Sequence, residues 1–137
     1  MTFPVVNGLR SIEFGTRGES RSRIIDFVIN GNKRATAGLI DEYQTEGEPF
    51  EHVGEKLAML DNDMNHVATL LVTRVEQCRF GDVPDEFAHA EAEGDLNAAD
   101  FRASHFDSWS KQGKSIDNDT RVVLIYFDLL PTETTIF

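Results

Sequence analysis

One cysteine, four prolines and a single tryptophan in 137 residues leave this chain short of several kinds of scaffold. Cys78, being alone, cannot close an internal disulfide; that excludes a disulfide-stapled framework and gives a cytoplasmic location as the expectation. With so few prolines and 40% apolar residues, the chain carries no Pro-rich linker and is not disordered as a whole. No apolar run approaches the roughly 18 residues that span a bilayer, so no membrane partner is expected. The first residues, MTFPVVNGLRSIEF, lack the basic-then-apolar pattern of a secretion signal. The four histidines (His52, His66, His89, His105) show no paired ligand spacing, and one thiol makes no cluster. Neither a metal nor another cofactor is therefore expected. Cys78 has no activator nearby in sequence that would make it a nucleophile.

Positive charge is scarce as well, with 13 Lys and Arg against 24 Asp and Glu, for a net charge of -11. The deficit is uneven. Residues 1–40 carry six basic groups (Arg10, Arg17, Arg21, Arg23, Lys33, Arg34) against three acidic ones, while the remainder carries seven against 21. Non-specific nucleic-acid affinity comes largely from phosphate neutralisation, so a uniformly acidic protein would repel RNA. A basic N-terminal sector could still face a nucleotide, or it could be ordinary surface charge.

What is present reads as one domain over residues 1–137. Ile24, Ile25, Val28 and Ile29 lie at helical spacing, with Ser20 as N-cap and Gly31 just past the end. A strand is predicted over 34–40, then a long exposed acidic loop over 41–54, then a short strand over 57–60 ending in Asp61-Asn62-Asp63. Residues 66–78 predict a long, bent strand. A short helix starts near Pro84 and is stopped by Gly94; a second is capped by Asn97, with Phe101, His105, Ser108 and Trp109 on its inner face. Residues 122–130 are apolar at every alternation and predict a central strand covered on both sides. This order lacks regular βαβ alternation and predicts an α+β fold with a strongly curved sheet or small barrel.

Two polar segments about sixty residues apart interrupt the core pattern. Gly31-Asn32-Lys33-Arg34-Ala35-Thr36 follows the first helix, offering an ammonium with three donors and a hydroxyl that donates or accepts. Residues three apart on an extended chain point to opposite faces, so Lys33 and Thr36 share a cavity only if the turn twists between them. The same spacing suits an exposed turn lysine and a strand threonine. It does not suit a phosphate loop, which needs a glycine-rich turn and Gly-Lys-Ser/Thr. The second segment, Glu91-Ala92-Glu93-Gly94-Asp95, sets three carboxylates at a helix C-terminus, where the dipole disfavours anions by roughly 0.3–1 kcal/mol each. It is either a solvated acidic cap or a site that uses at least one carboxylate.

In this order, Gly31-x-Lys33-x-x-Thr36, Val53-Gly54-Glu55, Phe80-x-x-Val83 and Glu91-x-Glu93-Gly94-Asp95 with Arg102 and His105 resemble the ASCH domain family over about residues 12–130. Thr36 and Gly38 stand where many ASCH domains have a glutamate and an arginine, so the chain resembles the threonine-bearing branch. That branch commonly reads Glu-Gly-Glu-Gly-Asp and then Trp-Arg; here Ala92 and Phe101 replace the first glycine and the tryptophan. The resemblance implies a PUA-like curved β-barrel with flanking helices and a cleft for RNA or a nucleobase. It also implies, from small members that deacetylate acetylated cytidine, a catalytic set of Lys33, Thr36 and Glu93. Gly31, Arg34, Glu91, Asp95, Arg102 and His105 would then contact ligand.

Two mechanisms divide on Lys33. Amide hydrolysis would use Thr36 as nucleophile, a neutral Lys33 as base and Glu93 for proton transfer. A lysine surrounded by carboxylates instead acts as a donor, holding a base carbonyl or phosphate while the carboxylates accept from exocyclic amines. The acidic surroundings favour binding of RNA or a small nucleoside, with enzyme activity left open. Given the net charge, a single nucleoside or short single strand suits better than long RNA, with Tyr43, Phe50 and Trp109 available for stacking. The sequence fits either a monomer or a homodimer.

Overall fold

In the computed structural model, residues 4–92, 94 and 97–131 are described. Six strands, β1 (Val5–Val6), β2 (Leu9–Ile12), β3 (Ala35–Leu39), β4 (Lys56–Leu60), β5 (His66–Arg79) and β6 (Arg121–Leu129), form one sheet in the order β1-β2-β4-β5-β6-β3. The β2–β4 pair is parallel and the others are antiparallel. Among the described residues, four α-helices accompany it: α1 (Glu19–Ile29), α2 (Ile40–Glu46), α3 (Asp85–Glu91) and α4 (Ala98–Lys111).

The alternation of β6 divides the core. Val123, Ile125 and Phe127 face one layer with Ile24 and Val28 of α1 and Ile40 and Tyr43 of α2. Val122, Leu124 and Tyr126 face the other, with Phe87 of α3 and Phe101 and Trp109 of α4. A strand covered on both sides carries no polar face, which is why β6 reads as continuously apolar.

The α+β class holds, but the sheet is open rather than a closed barrel. β1 has only two residues and β3 lies at the opposite edge, and the two do not pair. Register shifts between Met59 and Leu60 and between Val72 and Arg74 bend β4 and β5 without closing the sheet.

Three local expectations also change. The acidic segment after β3 begins with helix α2 rather than a loop: Ile40 and Tyr43, three apart, both reach the core, and Asp41 and Glu42 suit its first turn. Gly47, at φ 67°, ends it. Helix α1 is capped by Gly18 rather than Ser20, and Asn62 does the capping from across the fold, its Oδ1 accepting from Gly18 N at 2.6 Å. Helix α3 ends at Glu91 because Ala92 already turns left-handed (φ 53°, ψ 33°), two residues before Gly94. A non-glycine there is strained by roughly 1–2 kcal/mol. Ala92→Gly is expected to raise stability by about 0.5–1 kcal/mol, part of the relief being returned as unfolded-state entropy. Urea unfolding midpoints check this, and a lower midpoint would refute it.

Candidate functional site

Residues 31–34 are tied down before the strand begins. Gly31, at φ 91°, turns the chain out of α1; Lys33 N donates to Phe27 O at 2.9 Å, and Arg34 N donates to Ala90 O at the end of α3. This lacing buries Lys33 completely. Its Nζ lies 5.5 Å from the centre of the Phe14 ring and donates to the backbone oxygen of Glu91 at 3.4 Å. A cation over an aromatic face and a carbonyl acceptor are both partners suited to an ammonium.

From Ala35 onward the alternation of β3 decides what faces what. Ala35 and Leu39 join the layer under α3 and α4, whereas Thr36 pairs with Ile125 of β6, which belongs to the opposite layer. Beside β3 opens a cleft of about 500 Å³, within the usual range for small-ligand sites. Its walls are the segment Ser11–Gly15, the first turns of α1, Thr36 to Leu39 of β3, Tyr43 of α2, and the face of α4 that carries His105 and Trp109.

Glu91 closes one side. It is 1% exposed, and its Oε2 lies 3.4 Å from His105 Nε2. Oε1 has no hydrogen-bond partner among the described residues, and neither has the buried Oγ of Ser11, which lines the same cleft. His105 stacks on Phe101 at 4.0 Å, and its Nδ1 lies 3.1 Å from Phe101 O. Both of its ring nitrogens therefore face acceptor oxygens.

Elsewhere in the cleft Tyr43 donates to Glu51 Oε1 at 2.8 Å. Burial pushes the Glu51 carboxyl above its ordinary range, offset in part by the Tyr43 hydrogen bond. Burial, with the Glu51 charge beside it, pushes the Tyr43 phenol up as well.

Of the residues singled out from the sequence, Thr36, Glu91 and His105 line the cleft. Lys33 does not, yet Phe14 and Glu91, which it touches, both do. Gly31, Arg34 and Arg102 are not among its walls: Arg34 Nη1 donates to Lys33 O, and Arg102 Nη1 donates to Val83 O at 3.5 Å. Glu93 and Asp95 lie outside the described residues. Of the proposed stacking residues Tyr43 and Trp109 line the cleft, and Phe50 packs edge-on against Tyr43 at 5.0 Å.

The basic sector is divided. Arg21 is buried, ion-paired with Glu13 at 3.2 Å and donating to Phe14 O, while Arg10 is engaged by Glu55. Among the described residues lining the cleft, Arg23 is the only Lys or Arg, against the carboxylates of Glu13, Glu42, Glu51 and Glu91. Reasoning from sequence missed Ser11 and Glu51 as cleft residues. Glu51 stands in an acidic stretch with nothing local to separate a buried carboxyl from solvated ones. No group of three or more His, Cys, Asp or Glu among the described residues is arranged to hold a metal ion, and no helix there is long and apolar enough to cross a membrane.

No curated protein matches the chain. Among solved structures, an ASCH domain from Lactobacillus crispatus is similar at 25% identity and a TM-score of 0.76, covering 88% of this chain and 80% of that one. A protein from Enterococcus faecalis is similar at 25% identity and a TM-score of 0.74, covering 86% of this chain and 74% of that one. The ASCH domain family model matches residues 10–131, nearly the whole of the fold described above, and the chain therefore belongs to the ASCH domain family.

Proposed function

We propose that this protein binds RNA or a modified nucleoside in the cleft beside β3, reading the base with Glu91 and Thr36. ASCH domains are generally RNA-binding. The observation that carries the reading here is the buried Oε1 of Glu91, an acceptor without a partner among the described residues, on the wall of a ligand-sized cleft. A carboxylate in that position accepts from an exocyclic base amine such as that of cytosine, and Thr36 supplies a neighbouring hydroxyl. Among the described residues of the lining, four carboxylates against one arginine favour a single nucleoside, or one splayed base of a short strand, over a threaded phosphate backbone.

Calorimetric titration with cytidine and a short cytidine-rich RNA tests this. Both are expected to bind, and Thr36→Val is expected to weaken cytidine about 2- to 10-fold, the effect of one neutral hydrogen bond. Absence of binding, or a Thr36→Val affinity equal to the parent's, would overturn it. A second reading, hydrolysis of an acylated nucleoside such as N4-acetylcytidine, is supported by the presence of Thr36 on the cleft wall, where an attacking hydroxyl is needed. Release of cytidine from that compound, abolished in Thr36→Val, is its signature.

A further inference from the structure

The walls of the cleft come from both core layers: Ile24 and Tyr43 belong to one and Trp109 to the other, and all three line it. The cleft therefore lies across an edge of the sheet, where the layers part. That edge is β3, the last strand in the sheet order, which pairs with β6 on one side only. Phe127 N donates to Arg34 O at 2.9 Å, and the register sets Thr36 opposite Ile125 and Gly38 opposite Val123. Ladder bonds alternate along an antiparallel pair, so Thr36 and Gly38 turn their N–H and C=O toward β6. Ala35, Ala37 and Leu39 turn theirs the other way, to the free edge.

Of these three, Ala37 alone offers both groups to the cleft. Ala35 is fully buried and is not among the cleft walls, and Leu39 O, at the N-cap of α2, accepts that helix's first bond. The Ala37 methyl packs into the layer under α3 and α4, so what Ala37 presents to the cleft is its main chain. Its N–H has no hydrogen-bond partner among the described residues. A peptide strand adding to this edge would need such a pair at every second residue and finds one. A small planar group needs no more than one. A lone amine would satisfy Glu91 and leave the Ala37 N–H unmet, whereas a phosphate or carboxylate would meet the N–H and oppose Glu91. An amine beside a ring nitrogen, as on the Watson–Crick edges of cytosine and adenine, supplies a donor and an acceptor together.

We propose that the main-chain N–H of Ala37 donates to the ring nitrogen next to the exocyclic amine, N3 in cytosine, so that the free edge of β3 and Glu91 together read one face of the base. The inference rests on the nucleoside reading above and adds a main-chain contact to it. The test follows amide hydrogen exchange by NMR on the full chain, free and with cytidine or 3-deazacytidine, in which a C–H replaces N3. In the free protein Thr36 and Gly38 are expected to exchange slowly and Ala37 fast. With cytidine at about 100 times its Kd, when about 1% of the protein is unliganded, Ala37 exchange is expected to slow about tenfold or more. 3-Deazacytidine is expected to bind about 2- to 10-fold more weakly, the effect of one neutral hydrogen bond, and to leave Ala37 exchange fast. An Ala37 amide already slow in the free protein, or one that cytidine binding does not slow, overturns the main-chain contact and leaves base recognition standing. Equal affinity for the two nucleosides, or equal slowing by both, overturns it too. If neither nucleoside binds, both readings fall together.

Discussion

Phe101→Ala is expected to lower the unfolding free energy by about 3–5 kcal/mol, the usual cost of emptying an aromatic site in a core. Phe101 is completely buried, and its ring lies edge-on to Phe87 at 5.3 Å, tilted to Phe80 at 6.1 Å and stacked under His105. The three neighbours come from α3, from the turn after β5 and from α4, so no single element can collapse into the void. Against a typical total stability of about 5–15 kcal/mol, the loss is about a fifth or more, and the melting temperature should fall by about 10 °C or more. Because His105 and Trp109 rest on this ring system and form the α4 wall of the cleft, ligand affinity should fall as well. Phe101→Leu restores most of the volume and should recover most of both. A loss below about 1.5 kcal/mol for the alanine variant would mean that the site repacks, contrary to the rigid three-way contact.

How far the sequence reveals this fold depends on the range of the interaction that decides each part. β6 is legible because its double-sided burial is written into consecutive apolar residues, and α4 because Asn97 accepts from Asp100 N at 2.9 Å within its own first turn. Helix α2 is hidden because only Ile40 and Tyr43 of its seven residues reach the core, and acidic neighbours make the segment read as solvent-exposed. β1 and β2 are too short to show periodicity, and whether a sheet closes is decided by strand edges that come from distant parts of the chain. The site divides the same way. Gly31, Lys33 and Thr36 stand out by local spacing, but burial of Lys33 depends on Phe14 and Glu91 meeting it across the fold. Arg21 and Arg23 are equivalent in sequence, two residues apart, yet one turns inward to Glu13 and the other lines the cleft.

Glu91→Gln should separate stability from recognition. The side chain sits at the last residue of α3, where the helix dipole opposes a negative charge, and it is 1% exposed, so an ionised carboxylate there also loses its hydration. What it has in return is a 3.4 Å contact with His105 Nε2, and Oε1 has nothing among the described residues. Substitution by the isosteric amide removes the charge and keeps the volume, so the melting temperature is expected to hold or rise. The backbone oxygen that receives Lys33 is untouched by the change. Ligand binding should move the other way. A charge-assisted hydrogen bond contributes about 1.5–3 kcal/mol, so affinity for a nucleoside with an exocyclic amine should fall about 10- to 100-fold. The amide can also place its nitrogen toward the cleft, where two donors would meet, which adds to the loss. Uridine, which offers a carbonyl at the corresponding edge, should lose far less and provides the comparison. A folded Glu91→Gln protein that binds cytidine as tightly as the parent would remove Glu91 from recognition and leave its burial a purely structural cost.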